Sequence, residues 1–202
     1  KNKATNKEYI WQIAPSVWGS SSPVLFPAIG NIKEDVIRYK GNDFKMPKHG
    51  IIRNNNQLSF DQQTPYKCSF TLISSKETHL QYPFDFSFKV EFTLVENRLN
   101  MAYHIENNDK STMYFACGGH TAYACPLNDS TTLSDYCIEF PAATVLKADT
   151  LGDSGLLSDH KRDIENEQGI LSLSDTLFNE DALVFSNIDC KWVRLRKKNE
   201  KK

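Results

Sequence analysis

The chain predicts an all-β, antiparallel fold, and three features carry that expectation. Phe84, Phe86, Phe88, Val90, Phe92 and Leu94 alternate with Asp85, Ser87, Lys89, Glu91 and Thr93, a period of two with one apolar and one polar face. After Glu96-Asn97-Arg98 the alternation resumes through Leu99, Met101, Tyr103 and Ile105, so the two runs read as one long hairpin ending at Asn107-Asn108-Asp109. No long stretch carries a helical apolar period, and eight prolines with frequent Asn, Asp, Ser and Gly punctuate the remainder.

The other elements are shorter. Val36 to Tyr39, a turn at Lys40-Gly41-Asn42, and Phe44 predict a small hairpin. Tyr66, Cys68, Phe70 and Leu72 alternate as a strand. Met113 to Ala116, Ala182 to Phe185 and Trp192 to Leu195 are further strand candidates. Lys161 to Gln168 is the one helical candidate, limited to a turn or two by its polar composition and Gly169. Asp129 to Tyr136 and Asp149 to Asp159 read as polar surface loops. With no linker composition and no repeat, residues 1–202 are expected to form one domain of two packed sheets.

Composition excludes several classes. Lys+Arg is 24 and Asp+Glu 25, so no electrostatic pull toward nucleic acid is expected. The basic stretch Lys191 to Lys202 reads as a charged terminal fray. No run approaches the ~18 apolar residues of a membrane span, and no signal peptide is visible. Five cysteines without a CxxC pair, in a chain large enough to build its own core, predict reduced, mostly buried thiols in a cytoplasmic protein. No HxH, HExxH, GxGxxG or GxxxxGK occurs, so no metal and no cofactor is expected. Gly152-Asp153-Ser154-Gly155 has a protease-like look but stands in a β-rich context and reads as a loop.

Two histidines stand out. His49 lies beside Gly50, with Arg53 four residues on. A neutral imidazole donates and accepts, and a guanidinium presents a fork of donors, which together suit a polyhydroxylated or anionic ligand. A turn with a surface arginine accounts for the same residues somewhat better on spacing alone. His120 follows Gly118-Gly119, where flexible backbone lets a ligand approach. Imidazole titrates near neutrality and can act as acid or base; a structural histidine fits equally. His79, His104 and His160 receive no role. Trp11, Trp18, Phe26 and Tyr123 could stack on a sugar face or pack in a core.

Four stretches, taken jointly, resemble the aldose 1-epimerase (galactose mutarotase) family, in its branch of short bacterial proteins named after a lactose-operon gene. They are Pro23-Val24-Leu25-Phe26-Pro27-Ala28-Ile29-Gly30, Met46-Pro47-Lys48-His49-Gly50-Ile51-Ile52-Arg53, Tyr82-Pro83-Phe84-Asp85-Phe86, and Gly118-Gly119-His120-Thr121-Ala122-Tyr123 with Cys125-Pro126-Leu127. The resemblance implies a large antiparallel β-sandwich of the mutarotase type (a supersandwich) with a sugar cleft. It implies interconversion of α and β anomers of a hexose or related aldose by acid/base ring opening. His120 would be the catalytic acid, while His49, Arg53 and Asp181 would bind the sugar. Arg53 with Lys33, Lys45 and Lys48 allows a phosphorylated hexose, and equally reads as solvated charge.

The chain departs from the family pattern in places. Ile51 and Ile52 stand where an aromatic and an alanine are usual, Asn54 where an acid is usual, and Thr121 where a proline is usual. The family's catalytic glutamate, expected in a strand well after Asp181, has no evident counterpart. Cys137-Ile138-Glu139-Phe140-Pro141 imitates that strand but precedes Asp181, so Glu139 reads as a strand residue. The expected molecule is a family core lacking its N- and C-terminal strands. It is either part of an isomerase or a sugar-binding protein without turnover.

Overall fold

The computed structural model describes residues 1–141, 145–186 and 188–200. Lys201 and Lys202 of the basic tail lie outside them. Among the described residues the architecture is all-β with antiparallel strand pairs, one helical turn, α1 (Lys76–His79), and two 3-10 turns. The chain divides into two compact units, Ser22–His120 and a unit made of Lys1–Ser21 with Thr121–Lys202. No helix among the described residues is long and apolar enough to cross a membrane.

The unit Ser22–His120 holds β1 (Val24–Leu25), β2 (Val36–Tyr39), β3 (Asn42–Lys45), β4 (Ser59–Thr64), β5 (Lys67–Ile73), β6 (Phe86–Val95), β7 (Arg98–Asn107) and β8 (Gly118–Gly119). β4-β5-β6-β7 form a four-stranded meander, while β2-β3 and β1-β8 are small pairs. The register explains the alternation read from sequence. Leu72, Phe88 and Ile105 stand in one cross-strand row, Phe70, Val90 and Tyr103 in the next, and Cys68, Phe92 and Met101 in the third. Matching the apolar face across three strands fixes the pairing, because a slip of one residue would turn every side chain to the wrong side. Phe84, Phe86, Phe88 and Val90 are buried, and Phe26, Ala28, Met46, Ile51 and Ile52 cover them from the loops.

The expected burial fails at the hairpin tip. Leu94 is 46% exposed, and its partner Leu99 is exposed too. The ten-residue strands outrun the layer that covers their base. The Lys40-Gly41 turn of the small hairpin forms as expected, with φ of 49° and 79°, the positive pair that a two-residue turn between twisted strands requires. β4 had no signal in the sequence, because all six of its residues are exposed and mostly polar. It is held by its ladder to β5.

The other unit carries β9 (Tyr136–Glu139), β10 (Lys147–Leu151), β11 (Leu157–Asp163), β12 (Ile170–Ser172) and β13 (Arg194–Lys197). β12-β9-β13 and β10-β11 are separate sheets. They share one core of Phe140, Leu146, Ala148, Ile164 and Leu171, a small sandwich. Here the sequence expectations need most correction. The helical candidate Lys161 to Gln168 is not a helix, since its first three residues end β11, paired with Lys147 to Asp149. The polar loop Asp149 to Asp159 is largely strand, with the tight turn at Gly152 to Gly155 joining its arms. Asp149 is only 7% exposed. Lys161 Nζ lies 2.7 Å from Oδ1, and Ser186 N–H donates to Oδ2 at 3.2 Å. The bond to Lys161, aided by Ser186, pulls this carboxyl down to about 2. A buried charge with its partners supplied reads as a loop residue in one dimension.

Three strand candidates also change. Met113 to Ala116 is not a strand, although Ala116 N–H reaches Pro27 O and the ladder begins two residues later. Ala182 to Phe185 is reduced to one bridge between Val184 and Asp149. The last strand is Arg194–Lys197, not Trp192 to Leu195. All five cysteines are free thiols, but only Cys137 is buried and the other four are half-buried.

The meander's core sets the stability of its unit. Phe88→Ala is expected to cost about 3–5 kcal/mol through lost transfer energy and the cavity left behind. Leu99→Ala at the exposed tip should stay within about 0.5 kcal/mol. Chemical denaturation of the two variants side by side checks this.

Candidate functional site

Residues 23–30 form a spine with a histidine-bearing segment on each side. On one side β1 pairs with β8, Val24 opposite Gly119 and Leu25 opposite Gly118. The pairing extends outward through His120 N–H to Pro23 O at 2.9 Å. On the other side Phe26 bridges Gly50 in parallel, and Ile51 N–H donates to Phe26 O at 2.8 Å. His49 closes the arrangement with its main-chain N–H on Gly30 O at 3.0 Å, while Gly30 N–H donates to His49 Nδ1 at 3.1 Å. The two imidazoles are thereby set with centroids 5.6 Å apart and planes at 79°.

The spine is anchored by Phe26, whose ring is fully buried. It meets Phe88 at 5.0 Å, Phe86 at 5.3 Å, and Tyr82 and Phe115 at 5.7 Å between centroids. Phe26 is therefore a core residue, not a sugar-stacking wall. Tyr82 donates its hydroxyl to Tyr114 O at 2.7 Å, and burial raises its phenol well above the ordinary range. Trp11 and Trp18 are half-buried and Tyr123 is exposed.

Two glycines make the close approaches possible. Gly50 has φ of +80°, and a Cβ there would stand 2.1 Å from Phe26 O. No L side chain fits that position. A Cβ on Gly119 would stand 2.7 Å from Tyr103 Oη. The missing side chain at 119 thus makes room for the tyrosine of β7, where the sequence had pointed to ligand access. His49 also has positive φ, 71°, a conformation uncommon outside glycine, and its two bonds to Gly30 hold it there.

The hydrogen bond to Nδ1 fixes the chemistry of His49. A nitrogen that accepts from a main-chain N–H has no proton, so the neutral ring carries its proton on Nε2 and presents it as a donor. Burial lowers the pKa of His49, and the positive charges of His120, Arg53 and Lys48 lower it further. The His120 ring is the neighbour at 5.6 Å between centroids. Arg53 is half-buried and lines a cavity of about 360 Å³ with Lys48 and Asn54 to Gln57. His49 is therefore tied in at both ring and main chain, which a plain surface turn would not require.

Three of the four residues expected from sequence, His49, Arg53 and His120, lie in the unit Ser22–His120, with the two histidine rings 5.6 Å apart. Asp181 belongs to the other unit. It is exposed at the end of a turn, φ 72°, with Oδ1 accepting from Ala182 N–H at 2.7 Å. Glu139 is a strand residue in β9, as expected, bonded to Arg196 Nε at 2.5 Å and 3.6 Å from Arg194. Gly30 and Tyr103 were missed. Gly30 lies in a stretch singled out in the sequence, but nothing there marks it as the partner of His49.

A family model described as aldose 1-epimerase matches residues 1–194. The chain belongs to the aldose 1-epimerase family. It is 26% identical over 206 residues to the protein LacX, chromosomal, of Lactococcus lactis subsp. lactis, covering 96% of this chain and 68% of that one. A galactose mutarotase related enzyme from Lactobacillus acidophilus superposes with a TM-score of 0.85 at 30% identity, over 98% of this chain and 65% of that structure. A galactose mutarotase-like protein from Lactobacillus casei ATCC 334 gives 0.89 at 26% identity, over 99% and 68%. The chain thus spans about two thirds of the length of these relatives and shares their all-β sandwich fold.

The clasp between Gly50 and Phe26 predicts that Gly50→Ala destabilises the protein by more than ~2 kcal/mol, since both the backbone conformation and the contact forbid it. Gly19→Ala, with open space around it, should be neutral within about 0.5 kcal/mol. Thermal or denaturant unfolding measures both. The depressed His49 pKa gives a pH test with a definite sign. The unfolded ring binds its proton near 6.5, while the folded ring resists it. Stability should therefore fall as pH drops below 6.5 and level off once the folded ring is also protonated. His49→Gln should flatten that limb in unfolding curves recorded from pH 7.5 to 4.5.

Proposed function

We propose that the chain is an aldose 1-epimerase-type isomerase domain, residues 1–202, that binds a hexose or related aldose and promotes interconversion of its anomers. The observation that carries this is the His49–His120 pair, one ring locked as an Nε2–H donor and the other 5.6 Å away. Two imidazolium rings at that distance would repel, so the pair favours a single proton. His120 then acts as the acid toward the ring oxygen, while neutral His49 donates a hydrogen bond to the sugar. Arg53 supplies further donors, and its charge adds to the burial that lowers the pKa of His49. Asp181 is put forward separately, on its motif alone, as an acceptor for a sugar hydroxyl.

Ring opening also needs the C1 hydroxyl proton removed. General-base help is typically worth ~10²–10⁴-fold, and Glu139 is occupied by two arginines. The 202-residue chain is therefore expected to bind sugar and to equilibrate it slowly. Sugar binding without turnover is the second reading, favoured by the engagement of Glu139 with two arginines.

Polarimetry of freshly dissolved α-glucose or α-galactose, with and without protein, tests the proposal. His120→Ala should abolish whatever acceleration is present and His49→Gln should weaken it. Asp181→Asn should weaken binding more than rate. Acceleration unchanged in His120→Ala would remove His120 from the chemistry. Binding retained with no acceleration in the parent chain would establish the second reading.

A further inference from the structure

We propose that the chain self-associates through the free edge of β7, two copies pairing antiparallel so that their meanders join into one continuous sheet. This edge is open, since β7 pairs with β6 alone among the described residues. The bonds at the two ends of the hairpin show which way its main-chain groups point. Leu94 N–H turns to Tyr66 O, on the β5 side, while Asn108 N–H turns to Asp85 O. Even-numbered residues of β7 therefore address β6, and Leu99, Met101, Tyr103 and Ile105 point N–H and C=O outward. None of these outward groups has a hydrogen-bond partner among the described residues. The edge is also unguarded. Exposed edge strands are ordinarily blunted by a bulge, a proline, a lysine or shortness. β4, at the other edge of the meander, breaks register between Gln62 and Thr64. β7 runs ten residues in unbroken register, with no proline and no lysine.

The strand complements itself in one register, which selects a second copy as the occupant. Centring the pair on Ala102 sets Leu99 opposite Ile105 of the second copy and Met101 opposite its Tyr103, so that outward-facing groups meet. On the other face Arg98 stands opposite Glu106 at both ends. Both charges are exposed and make no ion pair among the described residues. Ala102 is small where the two chains come nearest, at a pair that is not hydrogen-bonded. Neighbouring registers lose this match. Centring on Met101 sets Glu106 opposite Glu96, and centring on Tyr103 sets Leu99 opposite Asn107. The apolar face gains as well. Leu94 and Leu99 form a row at the hairpin tip that is 46% and 59% exposed. In the Ala102-centred pair that row continues into Ile105, Phe88 and Leu72 of the second copy, a row that the core of that copy already covers. The tip that outruns one core is received beside the other.

Sedimentation velocity of the 202-residue protein from ~1 to ~300 μM, the range of weak to moderate interfaces, should show a concentration-dependent dimer. Ala102→Lys opposes like charges at the axis from an exposed position and should raise the dimer Kd by at least about 10-fold. Arg98→Glu should act in the same direction by opposing two carboxylates at each end. Arg98→Glu/Glu106→Arg should restore the dimer. All three positions are exposed, and circular dichroism verifies that the variants fold. A monomer at every concentration leaves the edge to a different strand and overturns the proposal. A dimer that survives both Ala102→Lys and Arg98→Glu lies on another surface and overturns it too. Open-ended oligomers, or a charge swap that fails to rescue Arg98→Glu, overturn the two-fold register.

Discussion

The carbonyl of Phe26 and the burial of its ring are the constraint on which the rest of the site depends. The ring lies at the centre of the aromatic core, among Phe86, Phe88, Tyr82 and Phe115. That core exists because β5, β6 and β7 present matched apolar rows. Once the ring is fixed, so is the main chain on each side of it. The carbonyl accepts Ile51 N–H, and Pro23 and Pro27 offer carbonyls to His120 and Ala116. The histidines thus inherit their separation from packing energy some distance from the chemistry. Both imidazoles are carried on backbone that the buried core holds in place.

The same backbone places the two histidines in different settings. His49 is tied at Nδ1 and depressed by burial and by neighbouring positive charge. Its role as a neutral donor follows from the strand geometry that delivers Gly30 N–H to it. His120 is attached to the spine through its main chain. The bond from Gly30 N–H to Nδ1 thus fixes the tautomer of the neutral His49 ring, 5.6 Å from the ring of His120.

The sequence disclosed the hairpin, the small β2-β3 turn and the meander's core face because those elements are half-buried and alternate. It singled out His49, Arg53 and His120 by the glycines and strand-like runs that flank them, and the structure sets the two histidine rings 5.6 Å apart. It could not disclose β4, whose residues are all exposed, nor β10 and β11, where Asp149, Lys161 and their neighbours look like loop residues until their pairing is seen. The role of Gly119 was also hidden. A glycine needed for ligand access and one needed for packing against Tyr103 look the same in one dimension, and only the 2.7 Å approach tells them apart. The helical candidate at Lys161 to Gln168 failed for a related reason. Local polarity permitted a helical turn, but cross-strand pairing with Lys147 to Asp149 outweighed so weak a preference.

Glu139 shows how composition can mimic a catalytic element. Its strand, Cys137-Ile138-Glu139-Phe140, has an apolar run around one acid, as a buried catalytic carboxylate would. The fold gives it a different fate. β13 lies antiparallel to β9 with Arg194 opposite Glu139, and Arg196 two residues on. Arg196 donates its Nε to the carboxylate while its Nη1 bonds the carbonyls of Lys197 and Lys198. A general base needs a carboxylate whose conjugate acid forms readily, so that it can accept a proton in the transition state. Glu139 is instead engaged with the two guanidinium groups, its Oε2 2.5 Å from Arg196 Nε and 3.6 Å from Arg194 Nη1. Its contribution is to join β13 to β9 and to help satisfy the arginines of a strand that would otherwise present unpaired charge to a half-buried sheet. The acid that sequence composition places in a strand is here a structural counter-ion to Arg194 and Arg196.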